Sequence, residues 1–228
     1  DVCSSDLVIG DLKEQKGYSE LVAENMVYSG GLKIYATIDT KVQDALDSVY
    51  TDDSAFPNTE KYGEVPESAM VITDKQGNIV GIAGGRGEKT SSRGFSYASD
   101  ARRQPGSSLK PLSAYGPAMD NGIVTPDSTI YDRALMEDEE GNPWPMNDGK
   151  YPTGRQLTIK EGMTRSLNTV SAQLLKTLTP QVSFNFLTQQ LGFKLVDSRT
   201  NEDGTVQSDI DLAPLALGAL TDGVTVRE

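Results

Sequence analysis

Two apolar runs, at 69–73 and 79–83, flank the pentapeptide Asp74-Lys75-Gln76-Gly77-Asn78. Turn-forming residues between two such runs predict an antiparallel hairpin. This constrains the fold more than any other feature, because a hairpin must be covered by something apolar before it is stable. Helical patterns on both sides offer the cover. Asp39 or Thr40 can cap a helix that carries Val42, Ala45, Leu46 and Val49 on one face, and the alternating stretch 32–38 before it predicts a strand. Beyond the hairpin, 107–121 has helical spacing at Leu109, Leu112 and Met119, with Gly122 as a stop. Thr158 and Glu161 form a T-x-x-E cap for a helix running toward Ser166, and Thr179-Pro180 opens another through Leu191, ended by Gly192. The order predicts an α/β fold of the α+β type, an antiparallel sheet with helices packed on it.

The remaining segments read as connections. Residues 1–30 are polar and weakly periodic, with a helical stretch around 18–27, and are expected to be a linker. The stretch 51–67 is rich in Pro, Asn, Asp and Ser and predicts a surface loop. Residues 125–156 form a long acidic excursion with the sole tryptophan, Trp144; an excursion of this length is expected to be functional or disordered. No apolar run is long enough for a membrane span and the start lacks the order of a signal peptide, so any anchor is expected outside these residues.

Composition narrows the chemistry. A formal charge of -12 disfavours nucleic acid, whose binding is driven by Lys and Arg releasing counterions. With no histidine and a single cysteine, Cys3, no zinc or copper site and no Ser-His-Asp or Cys-His machinery is expected, and no cofactor. A nucleophilic enzyme of this composition must use Lys, a carboxylate or another hydroxyl as its base.

One segment supplies such a pair: Gln104-Pro105-Gly106-Ser107-Ser108-Leu109-Lys110, an S-x-x-K at the start of a predicted helix. Residues three apart on a helix are neighbours, so the Lys110 amine can reach the Ser107 hydroxyl. The bare pattern is common by chance, and a plain structural role stands beside the catalytic one. Ser166-Leu167-Asn168 adds a hydroxyl that can relay a proton and an amide that can hold a peptide. A second S-x-N, Ser183-Phe184-Asn185, lies within an apolar helix and is expected to serve packing. Two other patterns fail. Gly84-Gly85-Arg86-Gly87-Glu88-Lys89-Thr90-Ser91 has an acid where a phosphate loop needs Gly before Lys, and Glu137-Asp138-Glu139-Glu140 lacks EF-hand spacing.

From about residue 30 onward the chain resembles the transpeptidase domain of class A penicillin-binding proteins. Gly30-Gly31-Leu32-Lys33-Ile34-Tyr35-Ala36-Thr37-Ile38-Asp39 resembles the family's entry segment, and 69–85 its hairpin before the nucleophile. The stretch 103–111 matches the nucleophile segment, 158–170 the helix and S-x-N turn, and Leu212-Ala213-Pro214-Leu215-Ala216-Leu217-Gly218 a later segment.

The resemblance implies a serine transpeptidase/β-lactamase-like fold and acyl transfer on peptidoglycan stem peptides ending in D-Ala-D-Ala. Ser107 is then the nucleophile, Lys110 the base, Ser166 a proton relay and Asn168 a substrate-binding group, with β-lactams acylating the same serine. It also implies residues 1–30 as a linker from an upstream glycosyltransferase domain, 31–228 as the N-terminal part of the transpeptidase domain, and a place on the extracytoplasmic face of the cell membrane. Alternatives are a non-catalytic penicillin-binding module, or a D,D-carboxypeptidase or β-lactamase in which water takes the acyl group. The family's K-[ST]-G motif does not occur in these residues, and Thr225-Val226-Arg227-Glu228 reads as a helix cap continuing past the last residue, so the domain is expected to be truncated on its C-terminal side and inactive alone.

Overall fold

The fold is described from a computed structural model, which covers residues 2–57, 63, 65–90, 94–138 and 140–228. Residues 58–62 and 64 of the expected 51–67 loop, residues 91–93, and Glu139 of the acidic run lie outside the described residues. The chain forms two compact units, residues 1–102 with 225–227, and residues 103–224 with 228.

The first unit opens with two helices, α1 (Val2–Lys16) and α2 (Glu20–Ser29), the second covering the helical stretch expected around 18–27. Ser19 caps α2 by accepting from Val22 N–H, and Ala23 is its buried residue. The strand expected over 32–38 does not form. Among the described residues its hydrogen bonds lie at its end: the Thr37 hydroxyl donates to the Ile79 carbonyl (2.6 Å) and Asp39 N–H to the Val80 carbonyl (2.9 Å), while Leu32 and Tyr35 stand exposed. Two hydrogen bonds do not make a ladder. Helix α3 (Thr40–Tyr50) starts at Asp39, whose carboxylate accepts from Lys41 N–H, and buries Leu46 and Tyr50.

The hairpin forms as expected from β1 (Met70–Thr73) and β2 (Ile79–Ala83), antiparallel. Asp74 closes its turn, accepting from the N–H groups of Gln76 and Asn78 and the Asn78 amide, and Gly77 takes a positive φ of 85°. The outer edge of β2 is covered by a side chain, because Gln43 on α3 donates to the Ile82 carbonyl and accepts from the Ile82 N–H as a neighbouring strand would. Around Leu46, Tyr50 and Ala83, with Phe56 and Ile72, lies a small core. Arg86 of the would-be phosphate loop turns inward, over the Phe56 ring and onto Asp53 and the Pro66 carbonyl.

The second unit is built around α6 (Asn168–Leu178), seven of whose residues are buried. One cluster gathers Ala172, Leu175 and Leu178 with Leu109, Phe184, Leu187 and Leu215. The other joins Val170 and Leu174 to Tyr115, Leu157, Ile159 and Leu167. The expected helix over 107–121 is present but interrupted: a 3-10 turn (Gly106–Leu109), a π turn (Pro111–Tyr115) and α4 (Gly116–Asp120) follow one another. Pro111 is the cause, having no N–H and a ring that clashes with a regular i−4 carbonyl; Gly116 N–H reaches back to the Pro111 carbonyl instead.

The acidic excursion is ordered where it is described. Strands β3 (Thr129–Tyr131) and β6 (Gln156–Thr158) pair antiparallel, as do β4 (Met136–Glu137) and β5 (Pro143–Trp144). Asp138 repeats the Asp74 turn, accepting from Glu140 and Asn142 N–H and from the Asn142 amide. Thr158 caps α5 (Ile159–Thr164) by accepting from Glu161 N–H, and Thr179 caps α7 (Pro180–Asn185). Strands β7 (Arg199–Thr200) and β8 (Val206–Gln207) pair before α8 (Leu212–Leu217). Four two-stranded ladders thus stand in place of one larger sheet among the described residues. No helix among the described residues is long and apolar enough to cross a membrane.

Candidate active site

Ser107 sits exposed in the 3-10 turn, and Lys110 follows it as the cap, donating its N–H to the Ser107 carbonyl. Residues three apart eclipse in a 3-10 turn, so the two share a face. A run of contacts, backbone to backbone except for the Gln104 side chain, fixes the turn to a segment more than a hundred residues later. Arg103 and Val224 exchange both hydrogen bonds (2.8 Å each), Gln104 donates its amide to the Leu220 carbonyl, and Gly106 N–H donates to the Gly218 carbonyl at 3.1 Å. Gly218 ends α8 with a positive φ of 73°, and a Cβ there would fall 1.7 Å from the Gly106 carbonyl oxygen. Only glycine permits this approach.

Ser166 and Asn168 owe their positions to the end of α5. Leu167 N–H donates to the Gly162 carbonyl and Ser166 N–H to the Met163 carbonyl, both at 2.9 Å, which is the Schellman arrangement that stops a helix. The C′ position of this motif requires a left-handed residue, usually glycine; here Ser166 fills it, at φ 52°. A non-glycine residue held there costs on the order of 1 kcal/mol or more, and such outliers gather at functional sites. Leu167 is buried under the turn, and Asn168 begins α6 at once.

The structure brings Lys110, Ser166 and Asn168 together. Lys110, only 2% exposed, donates from Nζ to the Ser166 carbonyl (2.8 Å), to Ser166 Oγ (3.2 Å) and to Asn168 Oδ1 (2.5 Å). Among the described residues no carboxylate forms an ion pair with it. Burial therefore acts unopposed and holds its amine below the usual lysine range. Asn168 Nδ2 donates to the Met146 carbonyl at 2.8 Å, so both ends of the amide are engaged inside the chain. The Ser107 hydroxyl makes no hydrogen bond among the described residues, and those of Lys110 Nζ go to Ser166 and Asn168. The arrangement is an exposed hydroxyl, and on the next turn a desolvated amine touching a second hydroxyl: a nucleophile, a base and a relay if a reactive carbonyl were seated at Ser107.

The sequence reading missed the layer behind these groups. Asp132, 2% exposed, accepts at Oδ1 from Asn147 Nδ2 and the Thr169 hydroxyl (2.7 Å each), and at Oδ2 from Thr153 N–H (2.9 Å) and its hydroxyl (2.7 Å). Burial alone would raise its pKa, but these hydrogen bonds outweigh that and hold the carboxyl below the usual range. Asn147 Oδ1 in turn accepts from Thr169 N–H at 3.1 Å. The one signal that pointed here was that Thr169 directly follows Asn168. The second S-x-N differs in every respect: Ser183 is fully buried, its hydroxyl donates to the Ser113 carbonyl at 2.6 Å, and Asn185 accepts from Gln181. Among the described residues no cluster of acids, thiols or imidazoles could hold a metal ion.

Comparison with known proteins fits this geometry. The sequence pattern of the penicillin binding protein transpeptidase domain matches residues 67–225. Penicillin-binding protein 1A of Clostridium acetobutylicum is 33% identical over 177 residues, 72% of this chain and 22% of that protein. Penicillin-binding protein 4 of Bacillus subtilis is 30% identical over 95% of this chain and 31% of its own length. The chain thus spans roughly a quarter of these relatives. Among solved structures, penicillin-binding protein 1A from Haemophilus influenzae superposes with a TM-score of 0.57 at 18% identity, over 95% of this chain and 43% of that one. That likeness supports the fold, and with a family match across more than half of its residues the chain belongs to the penicillin-binding protein transpeptidase family.

Proposed function

We propose that the chain is part of a serine D,D-transpeptidase that cross-links peptidoglycan stem peptides. The observation that carries this reading is Lys110: a buried amine with no carboxylate partner among the described residues, in contact with the Ser166 hydroxyl and one turn from an exposed serine. A lysine so desolvated gives up its proton more readily and can act as a base. Ser107 Oγ attacks the carbonyl of the penultimate D-Ala while Lys110 Nζ takes the hydroxyl proton. Ser166 Oγ passes a proton to the departing D-Ala nitrogen as the C–N bond breaks. An amine of a second stem peptide then displaces Ser107 and completes the link. An amide offers two N–H donors and two acceptor sites; at Asn168 one of each is used within the chain, which leaves one of each for the donor peptide.

By the same reading, residues 1–30 link an upstream glycosyltransferase domain to the transpeptidase domain, and the protein works on the extracytoplasmic face of the cell membrane. The K-[ST]-G strand used by the family is not in these 228 residues, so the test belongs to the full-length protein. Incubation with a fluorescent penicillin should label Ser107 stoichiometrically, as read by mass spectrometry, and Ser107→Ala should abolish the label. Labelling at another residue, or none, would overturn the assignment. Product analysis with stem peptides separates cross-linking from hydrolysis.

A further inference from the structure

We propose that Asp132 is a positioning residue for the reaction, acting through Asn147 and Thr169 to hold the Asn168 amide against Lys110. The inference rests on the function proposed above. Asp132 touches none of Ser107, Lys110, Ser166 or Asn168 by hydrogen bond, yet it sets the polarity of a chain of bonds that ends on them. Its two oxygens accept four hydrogen bonds, all that a carboxylate can comfortably take. All four partners donate to it and the carboxyl is held below its usual range, so Asp132 is ionised at neutral pH and Asn147 presents its NH2 to it. Asn147 Oδ1 is thereby turned toward Thr169 N–H at the first turn of α6. This ties residue 147 to the residue after Asn168, while the neighbouring Met146 carbonyl takes the Asn168 amide hydrogen and leaves Oδ1 to face Lys110. One buried charge thus decides which way two amides point.

A swap tests this. In Asp132→Asn the new NH2 cannot face Thr153 N–H, which only donates, so it meets the Asn147 NH2 donor to donor, while the Thr169 hydroxyl can turn its hydrogen to Asn147 Oδ1, 3.3 Å away. If Asn147 flips in response, its NH2 collides with Thr169 N–H. The double variant Asp132→Asn/Asn147→Asp restores a donor–acceptor match at each contact: the amide oxygen introduced at position 132 accepts from Thr153, the NH2 beside it donates to the carboxylate at 147, and that carboxylate accepts from the N–H and the hydroxyl of Thr169. The measurement is acylation of Ser107 by penicillin in the full-length protein, separating the labelled fraction from the first-order rate per labelled site at saturation. Misfolding lowers the fraction; mispositioning lowers the rate. Asp132→Asn should slow the per-site rate about 10–10²-fold, the scale expected for a misplacement near 1 Å, and the swap should restore it to within a few fold. A per-site rate unchanged in Asp132→Asn would show that Asp132 only stabilises, and a swap as slow as the single variant would show that the bond polarity is not what matters. Failure of the wild-type protein to label at Ser107 is a separate result: it removes the proposed function, and this inference with it.

Discussion

The same three-letter pattern occurs twice within twenty residues and means two different things. Ser166-Leu167-Asn168 turns the chain between α5 and α6, with the serine exposed in a left-handed conformation and the asparagine on Lys110. Ser183-Phe184-Asn185 runs along α7, with Ser183 fully buried and Asn185 spent on Gln181 one turn away. At the first, the backbone stops a helix and turns polar groups toward a buried amine. At the second, the coil goes on into a π turn (Phe186–Gln190) and the same groups satisfy its own surroundings. On the function proposed above, the motif that serves chemistry is the one the backbone lifts out of regular structure.

The largest test of this contrast is on rate. Ser166→Ala removes a hydroxyl that touches Lys110 Nζ and should slow acyl transfer about 10²–10⁴-fold, the usual worth of a positioned proton-transfer group. Ser183→Ala should leave the per-site rate unchanged. Stopped-flow labelling of the full-length protein reads both. Equal losses at the two serines would erase the distinction.

The next effect is on stability and runs the other way. Ser183→Ala strands the buried Ser113 carbonyl that its hydroxyl now satisfies, and should cost about 1–3 kcal/mol in denaturant unfolding. Ser166 is exposed, and loss of its hydroxyl should cost less than about 1 kcal/mol.

The sequence made the contrast partly visible, and what it hid has a physical pattern. Features set by neighbours a few residues apart were legible: the caps at Asp39, Thr158 and Thr179 and the Asp74 turn all depend on one side chain meeting a nearby N–H. The predicted helix over 107–121 ran through Pro111, whose presence already signalled the break that splits it into 3-10, π and α pieces. The strand predicted over 32–38 failed because alternation describes side-chain faces, whereas a strand needs a partner along its length. Asp132 was invisible among the acids of its excursion, since its partners lie 15, 21 and 37 residues away and nothing local marks it as buried.

Protonation should also separate the two triplets. Burial holds the folded-state pKa of Lys110 below its ordinary 10.5, so between the lowered value and 10.5 the unfolded chain binds more protons than the folded one. Stability therefore rises with pH across that window, and below it the cost of burying the charged amine is felt in full. Acylation should rise over the same limb as the neutral amine accumulates. Hydrogen exchange at the start of α6 should slow as pH rises, after correction for the intrinsic rate, and Lys110→Met should remove that dependence. Among the described residues, the side-chain hydrogen bonds of Ser183 and Asn185 involve no titratable group, so exchange along α7 should show no such trend. A matching trend in α7 would mean that the pH effect belongs to the whole unit and not to the turn.

The smallest expected effect is the most discriminating, because one substitution should act with opposite signs at the two serines. At Ser166 the backbone already holds φ 52°, which glycine adopts freely and serine does not. Relief of that strain, less the extra freedom glycine brings to the unfolded chain, should make Ser166→Gly more stable by about 0.5–1 kcal/mol. At Ser183 the backbone is helical, where glycine costs roughly 0.5 kcal/mol more than serine by propensity alone, and the bond to the Ser113 carbonyl is lost as well. Ser183→Gly should therefore unfold more easily than Ser183→Ala. Thermal and denaturant unfolding of the full-length protein with each variant decides the sign. A stabilised Ser166→Gly that acylates slowly would show that the turn keeps serine for its hydroxyl, against the preference of its own backbone. A destabilised Ser166→Gly would mean instead that the hydroxyl, through Lys110, is what holds the turn, and that the strain at φ 52° is compensated locally.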